Sequence, residues 1–162
     1  AKALGGGLPI GATIFRADLD WEKGEHSNTF GGNPLICQLA LTTLACVQEL
    51  ITSGAIKKIE QVIHKRLYLL RRHPMVRDTR GIGAMWAVEL LDTKLRDRLI
   101  DICEEMTITN GCGLKLLGAG TQSVRLMPPL TISSEDLRKA LNLFLTALNK
   151  LRDEHAQSLS HT

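Results

Sequence analysis

The sequence is poor in aromatic residues, which make up only 4% of its 162 positions. Proteins that hold single-stranded nucleic acid stack bases on aromatic side chains, so this scarcity disfavours that class. The formal net charge is only +3, and the basic residues are scattered. The densest basic group, Arg66, Arg71 and Arg72, lies at the end of an expected helix, where cations suit the helix dipole. We therefore expect no nucleic-acid partner.

The sequence also lacks the C-x-x-C pairs that are typical of zinc sites. The four cysteines are Cys37, Cys46, Cys103 and Cys112. Cys37 and Cys46 fall in an apolar helical run and are expected to be small core residues. We predict no metal site, and free thiols of this kind suit a reducing compartment such as the cytoplasm.

No uninterrupted apolar run reaches the length of a membrane span, and no signal peptide is visible. We therefore expect a cytoplasmic protein with no membrane partner. The chain begins at Ala1 rather than Met, and Lys2 follows at once, although reactive residues seldom lie at fraying termini. The sequence is thus expected to be a fragment of a longer chain, and a targeting segment on the missing N-terminus stays open.

The predicted elements divide the chain into two parts, residues 1–53 and 54–162. The first part contains a Gly-rich loop that runs into a strand over residues 12–15, and later a helix over residues 34–52. This helix is apolar on nearly every side, which is typical of a buried helix.

The second part has the predicted order α-β-β-α-β-β-α, which is typical of a small α+β domain. Amphipathic helices are predicted over residues 55–72, over residues 94–110 and from residue 133 onward. Strands are predicted over residues 76–80, 84–90, 113–117 and 123–127. Ser133 is expected to cap the last helix, and the tail from His155 is expected to fray.

Lys2, ahead of Gly5, Gly6 and Gly7, is the first candidate for chemistry. A lysine attacks an aldehyde as a nucleophile when its amine is neutral, and neighbouring glycines let a bulky ligand approach the backbone. On these residues alone, however, a flexible loop is the commoner explanation.

The segment "HSNTFGGNP" is the second candidate. Thr29 offers a hydroxyl, and residues 31–32 offer glycine N–H groups just ahead of a helix N-terminus, where anions bind. The alternative is an ordinary helix entry in which Asn33 caps the helix at Pro34, and the local pattern favours that alternative.

Arg125 and Arg80 are the remaining candidates. Arg125 lies in an apolar strand, where an unpaired guanidinium is costly, so a carboxylate partner from the protein or from a substrate is expected. If Val124 and Leu126 face the core, Arg125 points the other way, toward solvent or a cleft. Arg80 and its neighbouring glycines are expected to form a tight turn rather than a ligand loop.

The ordered series "KALGGGLPIGA", "HSNTFGGNP", "RGIGAMWAVEL" and "VRLMPPLTIS" closely resembles the class-III, or omega, aminotransferases over nearly the whole chain. The resemblance implies the type I fold of transferases that depend on pyridoxal 5'-phosphate (PLP), here α/β plus α+β. Residues 1–53 would be the C-terminal segment of the large PLP-binding domain. Residues 54–162 would be the small C-terminal α+β domain.

The resemblance also implies a role for each candidate. Lys2 takes the position of the Schiff-base lysine, which holds PLP and moves a proton as general base and acid. Thr29 matches the threonine that hydrogen-bonds the PLP phosphate and is lent by the neighbouring subunit of a homodimer. Arg125 matches the arginine that grips the carboxylate of a substrate such as glutamate or 2-oxoglutarate. Arg80 carries over only as part of a structural turn.

The implied activity is a transaminase that moves an amino group from an omega-amino acid or amine, such as 4-aminobutyrate, to a 2-oxo acid such as 2-oxoglutarate. L-Lysine 6-aminotransferase and an amino-acid racemase of the same fold are alternatives, and a glutamate semialdehyde aminomutase is less favoured. A non-catalytic truncated or dimerisation module is the alternative from a different class. Because the family's upstream phosphate turn, stacking ring and aspartate are missing, we expect no useful activity from this chain alone.

Overall fold

The computed structural model describes residues 2–110 and 113–160. The chain divides into two compact units, Ala1–Ser53 and Gly54–Thr162. Of the four cysteines, Cys112 lies outside the described residues.

The first unit consists of loops and short 3-10 segments followed by one long helix. The 3-10 segments span Ala3–Gly5 and Ala17–Leu19, and the helix, α1, spans Pro34–Thr52. The predicted bounds of α1 are confirmed. The strand predicted over residues 12–15 is wrong, because these residues are exposed and have no paired strand within residues 2–53. A strand persists only where a neighbour satisfies its backbone groups.

The helix α1 was expected to be buried, and this expectation is wrong for the described chain. Ala40 is the one buried residue of α1. The large apolar side chains that the helix exposes are Leu35, Leu39, Leu41, Leu44 and Ile51. Cys46 is likewise exposed rather than a core residue. By length and composition alone, α1 is long and apolar enough to cross a membrane, whereas the sequence was expected to contain no such segment. Core helices of soluble proteins are often as long and as apolar.

Over residues 54–110 and 113–160, the second unit forms three helices and a four-stranded antiparallel sheet. In chain order the elements are α2 (Ala55–Leu70), β1 (Val76–Ile82), β2 (Met85–Leu90), α3 (Thr93–Asn110), β3 (Leu117–Ala119), β4 (Ser123–Leu126) and α4 (Ser134–Ser160). The strands are arranged in the order β1-β2-β4-β3. The predicted order of helices and strands is confirmed.

One hydrophobic core joins one face of this sheet to the three helices. Trp86, Val88 and Leu90 are buried at alternate positions of β2, as expected for a strand with one face on a core. The stripe predicted for α4 is buried throughout, at Leu137, Leu141, Phe144, Leu148 and Leu151. The opposite face of the sheet is therefore free to carry polar side chains.

Two glycines set the strand boundaries. Gly83, with φ of 58°, forms the turn between Ile82 and Met85, so β1 continues through Arg80 where a turn was predicted. Gly120, with φ of 59°, forms the turn that joins β3 to β4. Glycine adopts such positive φ angles without strain, and strand pairing resumes directly beside each turn. The predicted strand over residues 113–117 is therefore displaced toward Gly120.

The ends of α4 follow from two local sets of contacts. Ser133 caps the helix as predicted, because its Oγ accepts a hydrogen bond from Asp136 N at 3.0 Å. The predicted fraying from His155 is wrong, since α4 continues to Ser160. Glu154, directly before His155, accepts two hydrogen bonds from Arg98 of α3, at 2.8 and 2.9 Å. These bonds hold the last turns of α4 against α3.

Candidate functional site

Lys2 lies at the start of the described chain, and its side chain is exposed. Its carbonyl oxygen accepts a hydrogen bond from Gly7 N at 3.0 Å, which closes the loop around the short 3-10 segment. Within residues 2–110 and 113–160, the Lys2 amine has no hydrogen-bond or ion-pair partner. No described residue therefore engages the Lys2 amine.

Gly5 lets the loop after Lys2 pack closely on the start of α1. It is buried, and a Cβ at this position would lie 2.8 Å from Ile10 Cγ2 and 3.6 Å from Ile36 Cγ2. Carbon atoms pack best about 3.5–4.0 Å apart, so a side chain here would displace Ile10. Because Ile36 belongs to the first turn of α1, Gly5 couples the lysine loop to the N-terminus of that helix.

A groove of about 380 Å³ lies beside the N-terminus of α1. Its lining includes Pro9 and Ile10 from the loop after Lys2, and Gly31, Gly32 and Asn33 from the segment before the helix. The two segments that the sequence singled out in the first unit thus form the walls of one groove. Thr29 is exposed in the same segment, although it does not line the groove itself.

Asn33 caps α1 and uses the helix N-terminal donors that an anion would otherwise take. Its Oδ1 accepts hydrogen bonds from Leu35 N at 3.0 Å and from Ile36 N at 3.3 Å. The ordinary helix entry considered from the sequence is therefore present. An anion at this end must rely on donors earlier in the segment.

Two hydrogen-bond donors of the segment before α1 make no hydrogen bond among the described residues. Gly31 N donates to Asn28 O at 3.2 Å, so one of the two glycine N–H groups is already used. In the described part of the chain, neither the Thr29 hydroxyl nor the Gly32 N–H makes a hydrogen bond. Gly32 has φ of 70°, a conformation that favours glycine. A hydroxyl and a backbone N–H of this kind suit a phosphate.

Arg125 lies on β4, in the second unit, and faces away from the core. Its neighbours Val124 and Leu126 are buried, whereas Arg125 is exposed. Its antiparallel partners are Ala87 on β2 and Leu117 on β3. No carboxylate among the described residues pairs with its guanidinium. Arg125 can therefore accept a carboxylate from outside the chain, in the bidentate geometry that arginine favours.

Arg80 shares this outer face of the sheet with Arg125, but Arg80 is paired. Its Nη1 donates to Glu89 Oε2 at 2.5 Å and to Asp78 Oδ2 at 3.4 Å. Gln122 Nε2 donates to the other Glu89 oxygen at 2.9 Å. The hydrogen bonds from Gln122 and Arg80 lower the pKa of Glu89 below its ordinary value. Because Arg80 lies within β1, paired with Ala87, the interpretation of Arg80 as part of a structural turn is wrong.

The sequence interpretation missed Glu89. Its position between Val88 and Leu90, both buried, was the available signal, since alternation places it on the outer face with Arg125. Of the predicted site residues, Lys2 and Thr29 belong to the first unit and Arg125 belongs to the second.

A family model described as aminotransferase class-III matches residues 1–148, which is most of the chain. The chain belongs to the class-III aminotransferases. The resemblance that the four sequence motifs indicated is thereby confirmed.

Class-III relatives of known name match nearly all of the chain. The acetylornithine aminotransferase of Clostridium acetobutylicum is 34% identical over 154 residues, which cover 89% of this chain and 36% of that protein. A 4-aminobutyrate aminotransferase of Mycobacterium bovis is 33% identical over 157 residues, which cover 93% and 35%. The chain thus spans about a third of the length of the curated relatives it matches.

The fold of the chain also resembles solved class-III aminotransferases. The ornithine aminotransferase of Toxoplasma gondii matches with a TM-score of 0.67 and 25% sequence identity, over 82% of this chain and 31% of that chain. Its structural description reports partial occupancy of PLP at the active site. The predicted type I fold is confirmed.

Proposed function

We propose that this chain is the lysine-bearing portion of a PLP-dependent transaminase that moves an amino group from an omega-amino acid to a 2-oxo acid. The observation that carries the proposal is the family match over residues 1–148, which includes Lys2, Thr29 and Arg125. Residues 1–53 would close the large domain, and residues 54–162 would form the small domain. The division of the chain between Ser53 and Gly54 supports this assignment.

PLP is the cofactor that membership of the class-III aminotransferases indicates, and groups of the first unit suit it. Within the described chain, Lys2 has an unpaired amine for the cofactor of its own subunit. The Thr29 hydroxyl makes no hydrogen bond among the described residues and would serve the phosphate of the neighbouring subunit's cofactor, and the nearby Gly32 N–H is likewise unused. When bound, PLP supplies the electron sink for removing a proton from the carbon that bears the amino group. In this proposal Lys2 Nζ holds the cofactor, and it accepts and returns that proton as general base and acid.

The proposed role of Arg125 is to hold a substrate carboxylate. Its support is the exposed, unpaired guanidinium on the outer face of the sheet, beside the small side chain of Ala87. A planar guanidinium binds a carboxylate through two parallel hydrogen bonds, which orients the substrate as well as holding it.

A homodimer in which Thr29 serves the neighbouring subunit is also proposed. The exposed apolar side chains of α1 support an assembled enzyme in which protein covers this helix. Large exposed apolar patches mark surfaces of interaction. In this proposal α1 lies against protein rather than in a membrane.

The names of the relatives suggest two amino donors. Acetylornithine aminotransferase recurs among them, and a 4-aminobutyrate aminotransferase matches at 33% identity. Both donors carry a primary amine at the far end of a short chain from a carboxylate. We propose a donor of this class, with acetylornithine ahead of the expected 4-aminobutyrate. Profiling of amine donors with the full-length holoenzyme, with 2-oxoglutarate and pyruvate as acceptors, distinguishes the two.

The covalent role of Lys2 can be tested by trapping. The protein is incubated with PLP, reduced with borohydride and digested, and mass spectrometry then locates the fixed cofactor. The expected label is on the peptide that contains Lys2, and Lys2→Ala abolishes it. The matched control, Lys23→Ala, removes another exposed lysine of the same unit and retains the label. A wild-type label on a different lysine, or unchanged labelling of Lys2→Ala, would contradict the proposal.

A further inference from the structure

Two arginines lie on either side of Ala87 on the outer face of the sheet. Arg80 is the antiparallel partner of Ala87 in the ladder between β1 and β2, and Arg125 is its partner in the ladder between β2 and β4. The three residues form one row across three strands, and their side chains share one face. Since Ala87 carries only a methyl group, no bulky side chain separates the two arginines.

Glu89 lies on the same face, two residues along β2 from Ala87. Both arginines are therefore its diagonal neighbours on the adjacent strands. Diagonal neighbours in an antiparallel sheet are about 7–8 Å apart, a distance that long side chains span. By its position in the sheet, Glu89 could pair with either Arg80 or Arg125.

The hydrogen bonds to Glu89 nevertheless come from Arg80 and Gln122 and not from Arg125. Arg80 Nη1 donates to Oε2 at 2.5 Å, and Gln122 Nε2 donates to Oε1 at 2.9 Å. Arg80 Nη2 also donates to Ser123 Oγ at 3.4 Å, which keeps the Arg80 side chain extended across β2. Among residues 2–110 and 113–160, no hydrogen bond or ion pair joins Glu89 to Arg125.

Both oxygens of the Glu89 carboxylate therefore already have a donor other than Arg125. The hydrogen bonds from Gln122 and Arg80 lower the pKa of Glu89, so its charge persists over a wide pH range. A carboxylate that lost the Arg80 partner would remain ionised beside an unpaired guanidinium, and opposite charges at that range attract. The resulting internal pair would compete with any carboxylate ligand of Arg125.

We propose that Arg80 is a positioning residue that holds Glu89 away from Arg125, with the help of Gln122, and so keeps the Arg125 guanidinium free for a substrate carboxylate. The proposal rests on the proposed carboxylate-binding role of Arg125. Arg80 itself does not contact the substrate and acts only through Glu89.

The first test measures the pKa of Glu89 by carbon-13 NMR of its carboxyl group, and it needs no activity. In an Arg80→Gln background, Glu89 is expected to pair with Arg125, so adding Arg125→Gln raises the pKa of Glu89. In the wild-type background, Arg125→Gln changes that pKa by much less. Equal effects of Arg125→Gln in the two backgrounds would overturn the proposal.

The second test measures the KM for 2-oxoglutarate with the full-length holoenzyme. Arg80→Gln is expected to raise this KM about threefold with unchanged kcat, which is the strength of an exposed competing ion pair. The double variant Arg80→Gln/Glu89→Gln is expected to restore the wild-type KM, because the competitor is gone. A raised KM that persists in the double variant would show that Arg80 contacts the substrate itself or supports the fold, and this would overturn the proposal.

Two further variants separate the possible failures. Arg77→Gln removes another positive charge from β1. Arg77 Nη1 lies 3.9 Å from Glu89 Oε1, so this variant should leave the KM unchanged. Arg125→Ala reports on the proposed function, since an unchanged KM would refute the clamp role. A raised KM for Arg125→Ala with no effect of Arg80→Gln would refute the positioning role alone.

Discussion

Gly81 lies directly against the ring of Trp86, its antiparallel partner in the hairpin of β1 and β2. A Cβ on Gly81 would lie 2.5 Å from Trp86 Cδ2 and 2.5 Å from the carbonyl oxygen of Met85. Trp86 is buried in the core, and its Nε1 donates to Gly83 O at 3.0 Å. The ring therefore has little room to move, and the hairpin depends on the absence of a side chain at Gly81.

Gly81→Ala is expected to destabilise the second unit by about 1–3 kcal/mol, since the new methyl group must displace either backbone or the Trp86 ring. The measurement is the free energy of unfolding in urea. The matched control is Gly118→Ala on β3, where the nearest atom to a Cβ is the Nη1 of Arg96, at 3.4 Å. Equal unfolding midpoints for the two variants would contradict the close packing of Gly81 on Trp86.

The α4 stripe offers a second prediction on stability. Phe144 is fully buried, so Phe144→Ala should lower the free energy of unfolding by about 3–5 kcal/mol through lost burial and a new cavity. Leu69→Ala is the control, because Leu69 on α2 is 58% exposed and leaves no cavity when truncated. Urea unfolding followed by circular dichroism measures both, and a similar loss in the two variants would contradict the assigned core.

Glu105 makes the stability of the second unit depend on pH. Hydrogen bonds from Arg98 and Lys150 lower the pKa of Glu105 to about 2, from its ordinary value of 4.5. Because the folded-state pKa is the lower one, this contribution is fully present above about pH 4.5 and is lost as the pH falls toward about 2. Glu105→Gln should therefore destabilise the protein near neutral pH, and its difference from wild type should vanish at low pH.

Urea unfolding at a series of pH values measures this difference. The control is Glu135→Gln, which removes an exposed partner of Lys139 within α4. This control should show only a small effect, in line with exposed helix pairs. A difference between Glu105→Gln and wild type that stayed constant from acid to neutral pH would refute the assigned pairing.

Arg125→Ala should raise the KM of the full-length holoenzyme for 2-oxoglutarate about tenfold or more, because it removes a charge-assisted, two-point contact with the carboxylate. Steady-state kinetics at varied 2-oxoglutarate measures the change. Arg138→Ala, which removes an exposed guanidinium from α4, serves as the control and should leave the KM unchanged. An unchanged KM in Arg125→Ala would rule out the carboxylate clamp.

Thr29→Ala should weaken PLP binding about five- to tenfold, because it removes a hydroxyl donor proposed for the phosphate. Equilibrium titration of the full-length protein with PLP, followed by absorbance, gives the dissociation constant. Thr13→Ala removes another exposed hydroxyl of the same unit and is expected to bind PLP normally. Equal dissociation constants for the two variants would count against the role of Thr29.

Much of the second unit could be predicted from the sequence, because its helices have clear apolar stripes. The stripe from Leu137 to Leu151 on α4 predicted burial correctly, since the helix and its core lie within the same chain segment. The strand over residues 113–117 was placed wrongly because apolar composition does not fix where a turn lies. The positive φ of Gly120 fixes it, and that depends on the register of the sheet.

For the candidate site, the sequence motifs identified individual residues but not their hydrogen bonds. Local pattern around Thr29 favoured a capped helix entry, and Asn33 does cap α1. That the Thr29 hydroxyl and the Gly32 N–H make no hydrogen bond within the described chain is known only when the neighbouring hydrogen bonds have been assigned in the structure. The pairing of Arg80 with Glu89 likewise depends on strand register, which no spacing in the sequence reveals.

The exposure of α1 has a consequence for how the first unit gains its stability. Fully burying one leucine or isoleucine side chain stabilises a protein by about 1.5–3 kcal/mol, and the five on α1 are 38–67% exposed, so their remaining burial represents roughly 4–8 kcal/mol. That is comparable with the lower part of the range for the net stability of a typical domain, which is about 5–15 kcal/mol. In the proposed homodimer this surface would also be buried by association, so we expect the melting temperature of the first unit to rise with protein concentration.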